Sequence, residues 1–295
     1  IIVKAVDTDD TTSDYLDEGL LAAKDLTTDF RAVSEVSTGG PARVNVTPLT
    51  ELAVRQLGLT AGDQGTSAVD LSALTPADVA AANTSVASQF GLSGGALPEL
   101  SAYPFVDAQG STATGNDYGS VLAAISGMET GSTSTSDVLT SLSSAGNFTA
   151  LQKATLIEGA ERAREKLSSS GLTDTVATAL KLTASEAQAI RDARTALINY
   201  DGTGSTAAPT VANYTALGIE GVNDLNLYAV NAQLATTDVE LRFIRSVKPI
   251  FEATAIDGVV LAIGKIRAYA DDETNPVPTE QDYTTAGVTG VTADN

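Results

Sequence analysis

The sequence predicts a mainly α protein, with helical bundle modules in tandem behind a small, incomplete β-rich section at the N-terminus. Three observations lead there. From Thr47 onward apolar residues recur every three to four positions, bounded by Thr-Pro starts and glycine stops. Before Thr47 the apolar residues fall in short or alternating runs. Near the C-terminus a punctuated segment repeats in fixed register.

The β-rich section comes first. "IIVKAV" is a short apolar run, "FRAVSEV" alternates with Phe30, Ala32 and Val36 on one face, and "ARVNV" sets Val44 beside Val46. The acidic, Thr-rich "DTDDTTSDYLDEG" between them reads as a loop. So few strands leave exposed edges, so strands preceding Ile1 or a neighbouring molecule are expected to complete the sheet.

The helices follow. "TPLTELAVRQLG" offers Thr47 as N-cap, Pro48 at the first position, a face of Leu49, Leu52 and Ala53, and Gly58 as stop. "TPADVAAANTSVASQFG" repeats the device with Thr75, Pro76, the face Val79, Ala82, Val86 and Phe90, and Gly91. "DYGSVLAAISGM" aligns Tyr118, Leu122 and Ile125, and "SDVLTSLSS" predicts a shorter helix. "LQKATLIEGAERAREKLSSSG" aligns Leu156, Ala160, Ala163 and Leu167, with Glu158 and Arg162 spaced for a surface pair and Gly171 as terminator. "TASEAQAIRDARTALINYDG" carries a capping box from Thr183 to Glu186 and a face of Ile190, Ala193 and Leu197.

From Pro209 the pattern becomes a cassette. A short helix from about Val211 ends at Gly218, and a second aligns Leu227, Val230 and Leu234. A third, "VELRFIRSV", is expected to stop at Pro249, and a fourth to turn Ile256, Val259, Ile263 and Ile266 inward. Tyr200, Tyr214, Gly218 and Gly221 recur 69 residues later as Tyr269, Tyr283, Gly287 and Gly290. The expected divisions are a β-rich section 1–47, a helical domain 48–205, a helical repeat module 206–277 and the start of a further repeat at 278–295.

Composition bounds the chemistry. There are 37 acidic and 17 basic residues, a net charge of −20, and no basic block to neutralise phosphates, so nucleic acid is not an expected partner. Cysteine and histidine are both absent, which removes disulfides, thiolate metal sites, cysteine nucleophiles, Ser-His-Asp chemistry and ordinary zinc sites. No run of about 18 apolar residues occurs, so no membrane insertion is expected. The chain begins at Ile1 without an initiator Met, as a piece of something longer or a processed form would.

Candidate sites are few. "GKI" at 264–266 lacks the Ser/Thr and upstream glycine of a phosphate loop, no S-x-x-K occurs, and the abundant carboxylates have no aromatic sugar platform. The chain is therefore read as no enzyme, with no residue assigned a catalytic, cofactor-binding or metal role. Calcium is the one ion considered: Asp7, Asp9, Thr11, Ser13 and Glu18 echo an EF-hand loop, but Thr12 stands where that loop needs glycine. Sequons at Asn45, Asn83, Asn147 and Asn213 are few enough for chance in so Thr-rich a chain.

The blocks "TPLTELAVRQLG", "DYGSVLAAISGM" and "YADDETNPVPTEQDYTTAGVTGVTADN" resemble segments of very large, repetitive bacterial surface proteins of the adhesin-like kind, from about Phe30 to Asn295. Such proteins combine Ig-like sections with small GA-like helical modules, so the incomplete β-rich section here is expected to be Ig-like or prealbumin-like. The resemblance implies an extracellular, cell-surface or matrix location and a structural or adhesive role; the incomplete sheet and the interrupted last repeat add the expectation of self-association, into a filament through end-to-end contacts, or of contact between neighbouring modules. The repeat here has four helical pieces where the GA-like pattern has three, so albumin binding is not carried over. Two alternatives stand beside this expectation: a helical module that binds a host protein or surface glycan, and a carboxylate-based enzyme acting on polysaccharide.

Overall fold

The computed structural model describes residues 1–8, 13–17, 19, 22–35, 44–59, 64–92, 116–130, 133–143, 146–167, 171–239 and 242–291. Among these the protein is mainly helical, with twelve helices and four short strands, and it divides into two compact units, 1–187 and 188–295. No described helix is long and apolar enough to cross a membrane.

In the first unit, β1 (Ile2–Ala5) pairs antiparallel with β4 (Phe30–Val33), Ile2 opposite Val33 and Ala5 opposite Phe30. Between them in sequence, β2 (Tyr15–Asp17) and β3 (Ala22–Lys24) form a separate antiparallel hairpin. The segment expected to be a loop thus contains a strand. Val44–Val46 are not in a strand, and Val36 lies outside the described residues.

The expected alternation along β4 also fails, because all four of its residues are buried. The face that should meet water is covered by α1 (Pro48–Gln56), and Arg31 on it is buried against Glu51. Arg31 Nη2 lies 2.7 Å from Glu51 Oε1, Arg31 Nε donates to Oε2 at 2.9 Å, and the Arg31 backbone N–H donates to Oε2 at 3.1 Å. Arg55, one turn on, donates to Oε1 at 2.9 Å. A buried pair that is this well bonded fixes which residue of the helix faces which residue of the strand.

The first two helices start as their sequences predict. Thr47 caps α1, and Thr75 caps α2 (Pro76–Gln89), each in a reciprocal box with the residue three positions on. Asn83, one of the four sequons, is buried in α2 and donates to the Val33 and Val79 carbonyls, which leaves its amide inaccessible to a sugar. α3 (Asn116–Gly127), α4 (Thr135–Leu142), α5 (Ala150–Leu167) and α6 (Leu172–Ala179) complete the unit. α3 and α5 approach closely through Gly127 and Gly159, where an added Cβ would overlap the facing backbone. That contact is why small residues dominate this interface.

Two expectations about α5 are corrected. Glu158 is buried and not at the surface, and Arg162 reaches the carbonyls of Gly127 and Glu129. Gly171 is the N-cap residue of α6, a helix of eight residues with no start signal in its sequence.

The second unit holds most of α7 (Ala184–Asn199), then α8 (Val211–Ala216), α9 (Leu227–Thr236), α10 (Ile244–Ala255), α11 (Gly258–Asp271) and α12 (Glu280–Thr285). Ile190, Ala193 and Leu197 of α7 are buried, and Thr183 and Glu186 form the expected box. Pro249 does not end a helix: α10 starts at Ile244 and runs through it. Proline removes one helical hydrogen bond, and the burial of Val247 and Phe251 on either side offsets that loss. The expected inward face of α11 is corrected at its start, where Ile256 is 72% and Val259 46% exposed; Ala262 and Gly264 are the residues buried. Gly264 sits so close to the Leu225 backbone that no side chain would fit.

Candidate functional site

The duplicated cassette is the feature with most structure behind it. Thr210 caps α8, its side chain accepting from the Asn213 N–H while Asn213 Oδ1 accepts from the Thr210 backbone at 2.8 Å. Sixty-nine residues on, Thr279 caps α12 in the same way with Asp282, whose Oδ2 accepts from the Thr279 N–H at 2.9 Å. Both helices last six residues and end in the same left-handed glycine turn. Gly218 has φ +69° and Gly287 +82°; Ile219 N–H donates to the Tyr214 carbonyl at 3.0 Å, and Val288 N–H to the Tyr283 carbonyl at 2.9 Å. Gly221 and Gly290 follow with φ +80° and +85°. Local sequence produces the same backbone twice.

Packing around the two copies differs. Tyr214 is fully buried; its hydroxyl donates to Asn231 Oδ1 at 2.7 Å, and its ring meets Phe251 edge to face at 5.8 Å. Burial pushes the Tyr214 hydroxyl pKa far up. Asn231 Nδ2 donates to the Pro209 carbonyl at 2.9 Å, and Glu252 Oε1 accepts from the Glu220 N–H at 2.7 Å. Arg242, itself buried, reaches the carbonyls of Leu197, Ile198 and Tyr200 at the end of α7. α9 and α10 therefore close over α8.

The second copy is more open. Tyr283 is half-buried, and Val288 is 44% exposed where its counterpart Ile219 is 3% exposed. α12 packs against α11, with Lys265 Nζ 2.7 Å from Asp282 Oδ1. The lysine, then the Thr279 backbone and hydroxyl donors, hold the Asp282 carboxyl at about 2, well below its ordinary 3.8.

In the first unit a cleft of about 440 Å³ lies between the β hairpin and α3, with Leu26, Phe30, Val46, Leu122 and Ile125 among its apolar walls. At its edge Lys24 Nζ bridges Asp17 Oδ2 at 2.6 Å and Glu129 Oε2 at 2.7 Å. Ser126 Oγ and the Gly19 N–H both donate to Asp17, and Thr135 donates to Glu129. Burial opposes the charge on Lys24, but the two carboxylates outweigh it and raise the lysine pKa. A lysine held protonated in this way is a poor base or nucleophile. Tyr15 is pushed up to about 12, chiefly by burial and then by Glu129.

The EF-hand-like pattern of carboxylates and hydroxyls spans 7–18. Asp9, Thr11, Thr12 and Glu18 of that pattern lie outside the described residues. Among the described residues the structure instead gathers Asp7, Asp14 and Asp25, whose carboxylate oxygens lie within 4.8 Å of one another. The pairing of β2 with β3 is what brings Asp25 back beside Asp14: the Asp14 N–H donates to the Lys24 carbonyl, and Asp14 Oδ2 accepts from the Leu26 N–H. That hairpin carries no strong periodic signal, so the trio was not visible in the sequence.

Searches of known protein families, curated proteins and solved structures found no match to this chain.

Proposed function

We propose that this chain is a structural, adhesive segment of a large modular bacterial protein on the cell surface or in an extracellular matrix. The observation that carries the reading is the cassette: a Thr-capped short helix and double glycine turn formed twice in the same conformation, 69 residues apart. A repeat of this kind serves spacing and lateral contact, with each unit burying the apolar face of its neighbour. The net charge of −20 supports a protein that stays hydrated and repels anionic membranes. Self-association or contact with neighbouring modules would supply its mechanical continuity.

Antibodies raised against the purified chain test this on intact cells of the source organism. Labelling without permeabilisation is expected, with extended or beaded particles of the native protein in electron micrographs. Labelling only after permeabilisation would contradict the location, and compact single particles the architecture.

One observation favours a second reading, a binding module for a small apolar ligand: the 440 Å³ cleft with a charged bridge at its edge, within the usual size of ligand pockets. Saturable binding of an apolar dye, lost on Leu122→Arg, would support it.

A further inference from the structure

We propose that the face formed by Tyr283, Ala286 and Val288 beside α11 is the docking site for a helix pair patterned like α9 and α10, the cover that the first cassette already has. The proposal rests on the modular reading above and adds to it the surface, the partner and the contacts.

The first cassette displays the occupant. Its Tyr214, Leu217 and Ile219 have at most 3% of their surface exposed, with Asn231 of α9 and Phe251 of α10 bonded to or stacked on Tyr214. The second cassette presents the same backbone at the same spacing, with Tyr283 in the place of Tyr214 and Val288 in the place of Ile219. A six-residue helix has too few hydrogen bonds to hold itself in water, so its stability comes from what covers it. Val259 at the start of α11, 69 residues after the buried Ile190, is likewise 46% exposed.

The required chemistry can be read from the covered copy. A side-chain amide at the Asn231 position would accept from the Tyr283 hydroxyl and donate to the Pro278 carbonyl. An aromatic ring at the Phe251 position would meet the Tyr283 ring edge. No arginine like Arg242 is required, because α11 runs on to Asp271 and the carbonyls of Ile266 and Arg267 lie inside that helix. A carboxylate at the Glu252 position would accept from the Thr289 N–H.

The test extends the full chain. A copy of residues 227–271 is appended directly after Asn295, which stands 69 residues after Asn226. Amide exchange at 283–288 should slow by at least about tenfold relative to the unextended protein, as expected when a frayed segment joins a cooperative unit. Val288→Asp should leave the unextended chain's circular dichroism and exchange unchanged and abolish the slowing in the extended one. No slowing, or slowing that survives Val288→Asp, overturns the proposal. So does slowing in the unextended chain that grows with concentration, since the occupant would then be a second bare face. None of these results bears on where the protein resides, so failure here is distinguishable from failure of the surface assignment.

Discussion

α8 and α12 are near-copies in backbone and opposites in surroundings. Each has a threonine cap, a six-residue body and a glycine stop closed by the same backbone bonds. One buries its tyrosine completely under Asn231 and Phe251, and the other leaves its tyrosine only partly covered and secures itself through Lys265 and Asp282. Local sequence therefore sets the shape of the cassette, and tertiary cover sets how firmly that shape is held. Neither partner of the Lys265–Asp282 pair has a charged counterpart in the first copy, where Ala196 and Asn213 occupy those positions. The open copy uses a partly exposed ion pair where the closed copy uses apolar burial, and exposed pairs contribute little.

The largest expected effect breaks this comparison at its centre. Tyr214→Ala should destabilise the second unit by about 3–5 kcal/mol, the usual cost of removing a fully buried aromatic ring, whereas Tyr283→Ala should cost less than about 1 kcal/mol. Amide exchange of α8 to α10 reads the first and that of α12 the second. Equal losses would remove the distinction between closed and open copies.

Arg242→Met comes next. It strips the α7 carbonyls of Leu197, Ile198 and Tyr200 of a charged donor and should cost roughly 2–3 kcal/mol, measured by chemical denaturation of the second unit. The helix end should loosen while the Thr210 cap is untouched.

Caps should behave alike in the two copies. Thr210→Ala and Thr279→Ala each remove one capping acceptor and should cost about 1 kcal/mol apiece in local helix stability. Similar losses by exchange, alongside dissimilar losses for the tyrosines, would separate local from tertiary contributions.

Acid gives the smallest and most specific difference. Asp282 has its folded pKa lowered from 3.8 to about 2, so the stability it lends α12 is complete above 3.8 and is lost as pH falls through about 2. Asn213, its counterpart, does not titrate. The N–H of Asp282 should therefore shift with acid while that of Asn213 stays fixed, and Asp282→Asn should remove the shift; nuclear magnetic resonance reads both.

The sequence made the helix starts legible because caps are local: Thr47, Thr75, Thr183, Thr210 and Thr279 each mark their helix without help from tertiary structure. The glycine stops at Gly58, Gly91 and Gly218 were legible for the same reason, whereas Gly171 opens a helix. What it hid depended on long-range contact. Arg31 looked like the polar side of an alternating strand until Glu51, twenty residues away, covered it. Pro249 looked like a stop until the burial of Val247 and Phe251 carried α10 through it. Ile256 and Val259 looked like core because their spacing is that of a buried face, and spacing alone cannot say whether a partner is present. The Asp7, Asp14 and Asp25 trio was hidden because its proximity arises from strand pairing rather than from spacing along the chain.

The most direct test of the account compares the two copies residue by residue in the unaltered protein by nuclear magnetic resonance. Backbone chemical shifts at 210–221 and 279–290 should report matching caps and left-handed glycines, while amide exchange at 214–219 should be slower by a factor of about a hundred or more than at 283–288. Matching exchange rates, or backbone shifts that place Gly287 outside the left-handed region, would contradict it.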